Sequence, residues 1–428
     1  MFKHYLQPLL APRSVALVGA SERAGSLGDI VFRNLTATAG LEVAPVNPKH
    51  AAVRGVPAYP SLGRLPQRPD LAVVATPART LPSIVAQAGD AGVRALLVLS
   101  SVFAESGAEG RALQEQSLHA AKAAGIRILG PNCLGVMRSP AADYPGLNAT
   151  FARGAALPGK LALVSQSGAI CGAILDWARG ARVGFTSVVS LGGAIDVDFG
   201  EVLDFLVADP ATEAILLYVE GIRDARRYLS ALRAAARVKP VIALKVGRYA
   251  SGSRAASSHT GALVGSDEVF DAALRRGGCV RVRTYTQLFA AARLLASGRL
   301  PQGERLAIVT NGGGPGVVAA DSAAENGVPI AVLSGESIEK LNRKLPAQWS
   351  HGNPIDIIGD APSERYAMAV HAALEDPGVD AVLVMHAPTA IVPSLEPAKA
   401  VIEAAHGSMK NVLTCWSGGD AVREACGG

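Results

Sequence analysis

Aromatic side chains make up only 5% of the 428 residues and charged ones 18%, while 49% are hydrophobic. So much apolar content excludes an intrinsically disordered chain, and no fixed-period repeat is visible, which excludes coiled coil and collagen. The sequence has no Lys/Arg block. Its 41 basic residues against 36 acidic ones give a net charge of +5 spread over the whole length, too thin for a nucleic-acid-binding face. Five cysteines (Cys133, Cys171, Cys279, Cys415, Cys426) are scattered and never form CxxC, so neither a disulfide framework nor a zinc site is expected. No apolar run reaches the roughly 18 residues of a membrane span. Lys3, His4, Pro8, Pro12 and Arg13 break the N-terminus before the first apolar stretch. A soluble, cytoplasmic protein is the expectation.

Short apolar runs are abundant, and they alternate with amphipathic stretches from end to end. That pattern belongs to parallel strands buried on both faces by crossover helices, hence an α/β protein. Strands are expected at 14–19, 41–46, 71–76, 95–100 and 127–130, then at 160–165, 185–191, 214–220 and 240–246. After the joint SGRLPQGE, further strands are expected at 305–310, 328–333, 381–385 and 411–416. At about 100 to 200 residues per domain the length suits several units, and three are expected, at 1–140, 150–298 and 303–428.

Each unit opens on the same plan of strand, tight Gly/Ser turn and helix: VGAS, VSQSG and VTNGGG. Such a turn aims backbone N–H groups and the positive end of a helix dipole at one point, a potential anion cradle. One turn alone can serve only to reverse the chain; three together favour phosphate chemistry. In the first unit Gly19 to Gly28 approaches the dinucleotide fingerprint without matching GxGxxG, and Val46-Asn47-Pro48-Lys49 offers a lysine where a ribose-binding acid would stand. Hydride chemistry is disfavoured and a phosphorylated ribose favoured. Ala75-Thr76-Pro77, Ser100-Ser101 and Gly130-Pro131-Asn132-Cys133 all follow strands, at the edge where open α/β sheets bind ligands.

The blocks VALVGAS, PVNPK, GPNCLGV, LNATFA, ALVSQSGAI, YVEGI, KPVIALKVGR, SSHTGALVGSDEVFDAA, IVTNGGGPGVVAAD and HGNPIDIIGD, in this order, resemble the nucleoside-diphosphate-forming acyl-CoA synthetases, relatives of the succinyl-CoA synthetase α chain. The resemblance implies a CoA-binding Rossmann-like domain followed by two flavodoxin-like, succinyl-CoA-synthetase-like doubly wound domains, the third unit being incomplete. It implies CoA contacts from Ser21, Gly25, Ser26, Leu27, Gly28, Lys49, Pro77 and Ser100, with Asn132 and Cys133 near the thiol end. It matches His259, in the small-residue stretch 251–262, to a phosphohistidine, and Glu220, at the end of AILLYVE, to the carboxylate that orients it. Imidazole suits the task because it titrates near neutrality and attacks through one nitrogen while the other is held. Ser165, Ser167 and Gly168 are then expected to bind the phosphate on the acyl side, and Gly312, Gly313 and Gly314 on the nucleotide side.

Two departures stand out. Gly172 replaces a tyrosine of succinate-specific relatives, implying a different and roomier carboxylate pocket, and Ser190-Leu191-Gly192-Gly193-Ala194 lacks the Asn and basic residue that usually follow SLG. No ATP-grasp module and no P-loop can be recognised. ADP/ATP with Mg²⁺ is therefore expected at a site outside this chain, on an ATP-grasp β subunit or a fused C-terminal domain, and the ending at Gly427-Gly428 inside an α/β unit favours a longer fused protein. The expected activity is an ADP-forming acid–thiol ligase acting on a small carboxylic acid, in an oligomer. Two readings compete with it: a CoA- or acyl-CoA-sensing regulatory module of a fused protein acetyltransferase, and an NADP-type dehydrogenase.

Overall fold

The computed structural model describes residues 4–249, 251–252, 266–297 and 299–426. By contact density they form two compact units, Met1–Gly298 and Arg299–Gly428.

The first unit contains two large sheets. Strands β1 (Ser14–Val18), β2 (Glu42–Val46), β5 (Leu71–Val74), β6 (Ala95–Val98) and β7 (Arg127–Leu129) form a parallel sheet in the order β2-β1-β5-β6-β7. A short antiparallel ribbon, β3 (Ala52–Val53) with β4 (Val56–Pro57), lies outside it. The runs VALV, LAVV and ALLV are buried at every position, which is why their sequences are continuously apolar rather than alternating. Helices cover both faces: Leu35 and Phe32 of the helix Leu27–Thr36 join one core, and Leu81, Ile84 and Val85 of the helix Leu81–Asp90 join the other.

The second sheet has seven strands in the order β14-β13-β12-β10-β11-β8-β9. Its parallel part comprises β10 (Pro158–Ser165), β11 (Phe185–Ser190), β12 (Ala214–Val219), β13 (Val241–Lys245) and β14 (Val280–Val282). At its edge β8 (Gly135–Arg138) and β9 (Leu147–Thr150) pair antiparallel, so the Pro- and Gly-containing passage 139–158, where the sequence pattern shows no strand, carries one. The segment 193–197 fastens the two sheets: Gly193 N–H donates to Pro131 O (2.8 Å), Val197 N–H to Ile128 O (3.0 Å), and Asp196 pairs with Arg127 (2.9 Å).

In the second unit β15 (Leu306–Thr310), β16 (Ile355–Asp356), β17 (Ala381–His386) and β18 (Asn411–Trp416) form a parallel sheet ordered β16-β15-β17-β18. The strand expected at 328–333 is reduced to one bridge, Ile330 with Leu306. The Asn353 amide takes its place in the ladder, accepting Ile308 N–H (2.9 Å) and donating to Leu306 O (2.8 Å) and Ala331 O (2.9 Å). Counted within each sheet, the parallel strands follow the doubly wound order 2-1-3-4 or 2-1-3-4-5. The first parallel strand of each sheet, β1, β10 and β15, therefore borders a switch point where the connections change face.

Candidate functional site

Each of the three Gly/Ser turns leaves a first strand at such a switch point. In the first sheet Ser26 caps the helix Leu27–Thr36, its Oγ accepting Asp29 N–H (3.3 Å). Gly28 is required there: a Cβ on it would lie 2.0 Å from Gly19 O, so only glycine lets the helix start approach the turn. Asp29, 1% exposed, would oppose an anion at this helix start, but Arg54 (2.6 Å) and Arg33 (3.2 Å) neutralise it. The Arg54 hydrogen bond above all holds its carboxyl below the usual range.

In front of this helix opens a cleft of about 1760 Å³, larger than the roughly 300–1,000 Å³ of an ordinary small-molecule pocket. Eight of the ten expected CoA-contact residues line it: Ser21, Ser26, Leu27, Gly28, Lys49, Pro77, Ser100 and Asn132. Three more basic side chains that the sequence reading passed over, Arg23, His50 and Arg79, stand on the same wall. Cations beside a helix N-terminus fit a long, multiply phosphorylated ligand such as CoA. Gly25 is not on the wall, and neither is Cys133, whose side chain is buried in the core with Sγ directed at Val98 O (3.4 Å). Burial pushes the Cys133 thiol up to about 12. The turn it follows reaches the cleft only through Asn132, whose N–H donates to Ser100 O (2.8 Å).

In the second sheet the turn Ser165-Gln166-Ser167 is held by its own side chains. Ser165, fully buried, donates to Ser167 O (2.9 Å) and accepts Ser167 N–H (3.0 Å), so its hydroxyl shapes the turn. Ser167 caps the helix Gly168–Gly180 and is half-buried, as is Gly168. Gln166, which the sequence reading passed over although it lies between two chosen serines, reaches across to the end of β12. Its Oε1 accepts the N–H groups of Glu220 (2.6 Å) and Gly221 (3.0 Å), and its Nε2 donates to Gly221 O (2.8 Å). Glu220 is thereby fixed, 7% exposed, at the C-terminal edge of the sheet. Lys245, buried at the end of the adjacent β13, is within electrostatic reach of it. A Cβ on Gly172 would meet nothing within 4 Å. His259 lies outside the described residues.

The second unit repeats this wiring. Thr310 donates to Gly312 O (3.0 Å) and accepts Gly312 N–H (3.2 Å), and Asn311 exchanges two 2.8 Å hydrogen bonds with the backbone of Ala387. Gly312 caps the helix Gly313–Glu325, with Gly313 and Gly314 exposed at its start. Strand pairing aligns Ser165 with Tyr218 and Thr310 with Met385, so Ala387 occupies the place of Glu220. The turn is duplicated, but the carboxylate is found in the first unit only. His351 is tied to Asn342 (2.8 Å) and Ala347 O (3.0 Å), contacts that pin a local turn.

Among the described residues no cluster of three or more His, Cys, Asp or Glu is placed to hold a metal ion, and no helix is long and apolar enough to cross a membrane.

Comparison with known proteins follows the same division. Residues 13–139 match the CoA binding domain family, 158–295 the succinyl-CoA ligase like flavodoxin domain and 306–427 the Ligase-CoA domain. The chain is 37% identical over 431 residues to the acetate–CoA ligase [ADP-forming] I subunit alpha of Pyrococcus furiosus, covering 98% of this chain and 91% of that one. It is 40% identical over 420 residues to acetate–CoA ligase [ADP-forming] I of Archaeoglobus fulgidus, spanning 98% of its own length but 59% of that protein's. Among solved structures, the dinucleotide forming acetyl-coenzyme A synthetase 1 of Ca. Korarchaeum cryptofilum, in complex with phosphate and ADP, superposes with a TM-score of 0.91 at 35% identity, covering 98% and 90% of the two chains.

Proposed function

The chain belongs to the ADP-forming acyl-CoA synthetase family, and from that premise we propose that it is the CoA-binding and phosphohistidine-bearing part of a ligase. The reaction is acyl-CoA + ADP + phosphate ⇌ carboxylate + CoA + ATP. The observation that carries the reading is the fixing of Glu220 by Gln166 at the C-terminal edge of a sheet, beside a turn that ends in a helix start, in the same unit as a cleft of CoA dimensions.

CoA lies in the cleft, its phosphates toward Ser26, Gly28 and Lys49 and its thiol end toward Asn132. Inorganic phosphate attacks the thioester carbonyl, the C–S bond breaks, and CoA leaves as the thiol, giving an acyl phosphate. A ring nitrogen of His259 then attacks phosphorus; the P–O bond to the acyl group breaks and the carboxylate departs. Glu220 holds the other ring nitrogen and stabilises the cation that forms. The helix starts at Ser167-Gly168 and Gly312-Gly313-Gly314 stabilise the phosphoryl charge at the two stations of His259. ADP, with Mg²⁺, takes the phosphoryl group at an ATP-grasp module, carried by a separate β subunit or by a fused segment. Relatives named alpha subunits support the first arrangement, and the Archaeoglobus relative, longer than this chain, supports the second. Five unpaired cysteines fit a reducing cytoplasm.

The test is to incubate the complete enzyme with acyl-CoA and labelled phosphate. An acid-labile adduct at His259 is expected, and a His259→Asn enzyme that still turns over refutes the mechanism.

A further inference from the structure

A second, much smaller cavity of about 20 Å³ opens where the two sheets of the first unit meet. Asn132, Gln166, Gly192, Gly193, Glu105 and Arg223 wall it, and Asn132 also lines the large cleft, so the two spaces share that residue. The wall is built from chain that follows β6, β7, β10, β11 and β12, the ligand-binding edge of both sheets. Its floor is tightly defined. Gly192 has φ +54°, and a Cβ there would be 2.3 Å from Pro131 O, so only glycine lets the turn after β11 lie on the turn after β7.

The polar groups of the wall are unequally committed. The Gln166 amide is used by residues 220–221, and Glu105 accepts Val102 N–H (2.8 Å). Among the described residues Arg223 is the one cation on this wall, and it makes no hydrogen bond or ion pair with any other of them. Desolvation is what chiefly disfavours its cation, and the carboxylate of Asp198 works against that by favouring the charge. A guanidinium held this way gains most from a small oxyanion, which it can grip with two parallel hydrogen bonds. The space is small, so it suits the compact charged head of a ligand rather than its substituent.

We propose that this cavity is the acyl-end subsite and that Arg223 binds the oxyanion head of the acid substrate and of its acyl phosphate. The proposal rests on the ligase reading, because the subsite lies between the residue expected at the CoA thiol end, Asn132, and the residue that fixes Glu220, Gln166. It supplies a cation that the turn 190–195 does not carry.

The test uses acetyl phosphate as probe on the full chain saturated with CoA, in a His259→Asn background so that nothing is consumed. Titration calorimetry is expected to give a heat that falls at least tenfold in affinity in Arg223→Ala and only partly in Arg223→Lys, with CoA affinity unchanged within twofold. Equal binding by the Arg223→Ala chain, or no binding by either, overturns the subsite. Failure of the ligase reading is seen separately: the chain with His259 intact would take no label from acetyl phosphate, whatever Arg223 does to binding. In the complete enzyme the KM for the carboxylate should rise in Arg223→Ala while the KM for CoA holds, a split that a merely structural arginine would not produce.

Discussion

Gln166 holds Glu220 by its backbone: the side-chain oxygen of one receives the N–H of the other at 2.6 Å and that of Gly221 at 3.0 Å. A strand end that would otherwise fray is thereby given a fixed direction, and the carboxylate it carries is fixed with it. The same device recurs between Asn311 and Ala387, where no carboxylate follows, so the clamp is a feature of the fold that one unit uses to orient a charge.

Replacing Gln166 by Leu should remove three hydrogen bonds and strand two buried backbone donors. An unsatisfied buried donor costs about 1–3 kcal/mol, so with two of them a loss of about 2–6 kcal/mol is expected, read as a lower denaturation midpoint. Phosphoryl transfer should fall at least tenfold while CoA titration is unchanged. Gln166→Glu keeps the acceptor and should lose less than Leu; equal losses would show that the two accepted N–H bonds are not what matters.

Gly28→Ala tests the first turn. The added methyl would meet Gly19 O at 2.0 Å, a backbone atom that cannot step aside as a flexible side chain would. Overpacking of this kind costs about 1–3 kcal/mol, and here the strain falls on the helix start that faces the cleft. CoA affinity should weaken at least tenfold by calorimetry. An unchanged affinity would remove this helix start from the binding site.

Thiol chemistry separates Cys133 from the reactive end of any ligand. Cys133, Cys171 and Cys279 are buried, and burial pushes each thiol up to about 12, whereas Cys415 and Cys426 are exposed. Since the thiolate is the nucleophile, iodoacetamide at pH 8 should label Cys415 and Cys426 and spare the other three until the chain is unfolded. Mass spectrometry of the folded protein that finds Cys133 alkylated would return it to the cleft wall.

Strand positions were legible because parallel strands buried on both faces leave uninterrupted apolar runs, as in LAVV and ALLV. What escaped was short or polar: β9 reads LNAT, and β16 is two residues long. The apolar run 328–333 misled in the other direction. An apolar stretch marks burial, whereas ladder pairing depends on which group reaches the neighbouring strand, and here that group is the Asn353 side chain. In the site, glycines and serines flagged the turns, and the cleft gathered eight of the chosen residues. Gln166 and Arg223 were invisible because their roles are set by contacts with chain more than 25 residues away, which a local pattern does not encode.

His386 gives the second unit a pH dependence whose sign follows from its surroundings. It is 1% exposed on β17, with Nδ1 at 2.7 Å from the Tyr366 hydroxyl and Nε2 at 3.0 Å from Ser394 Oγ. Burial lowers its pKa, so the unfolded chain, titrating near about 6.5, takes up the proton first as the solution is acidified. The stabilisation is therefore complete above about pH 6.5, declines as pH falls toward the lower folded value, and is flat beneath it. Amide exchange in Ala381–His386, the strand that bears the imidazole, should accelerate between pH 7 and 5 beyond the intrinsic chemical trend once corrected for it. His386→Asn, which does not titrate, should lose that excess. If the corrected exchange profile of the variant keeps the same slope, another group is responsible for the acid sensitivity.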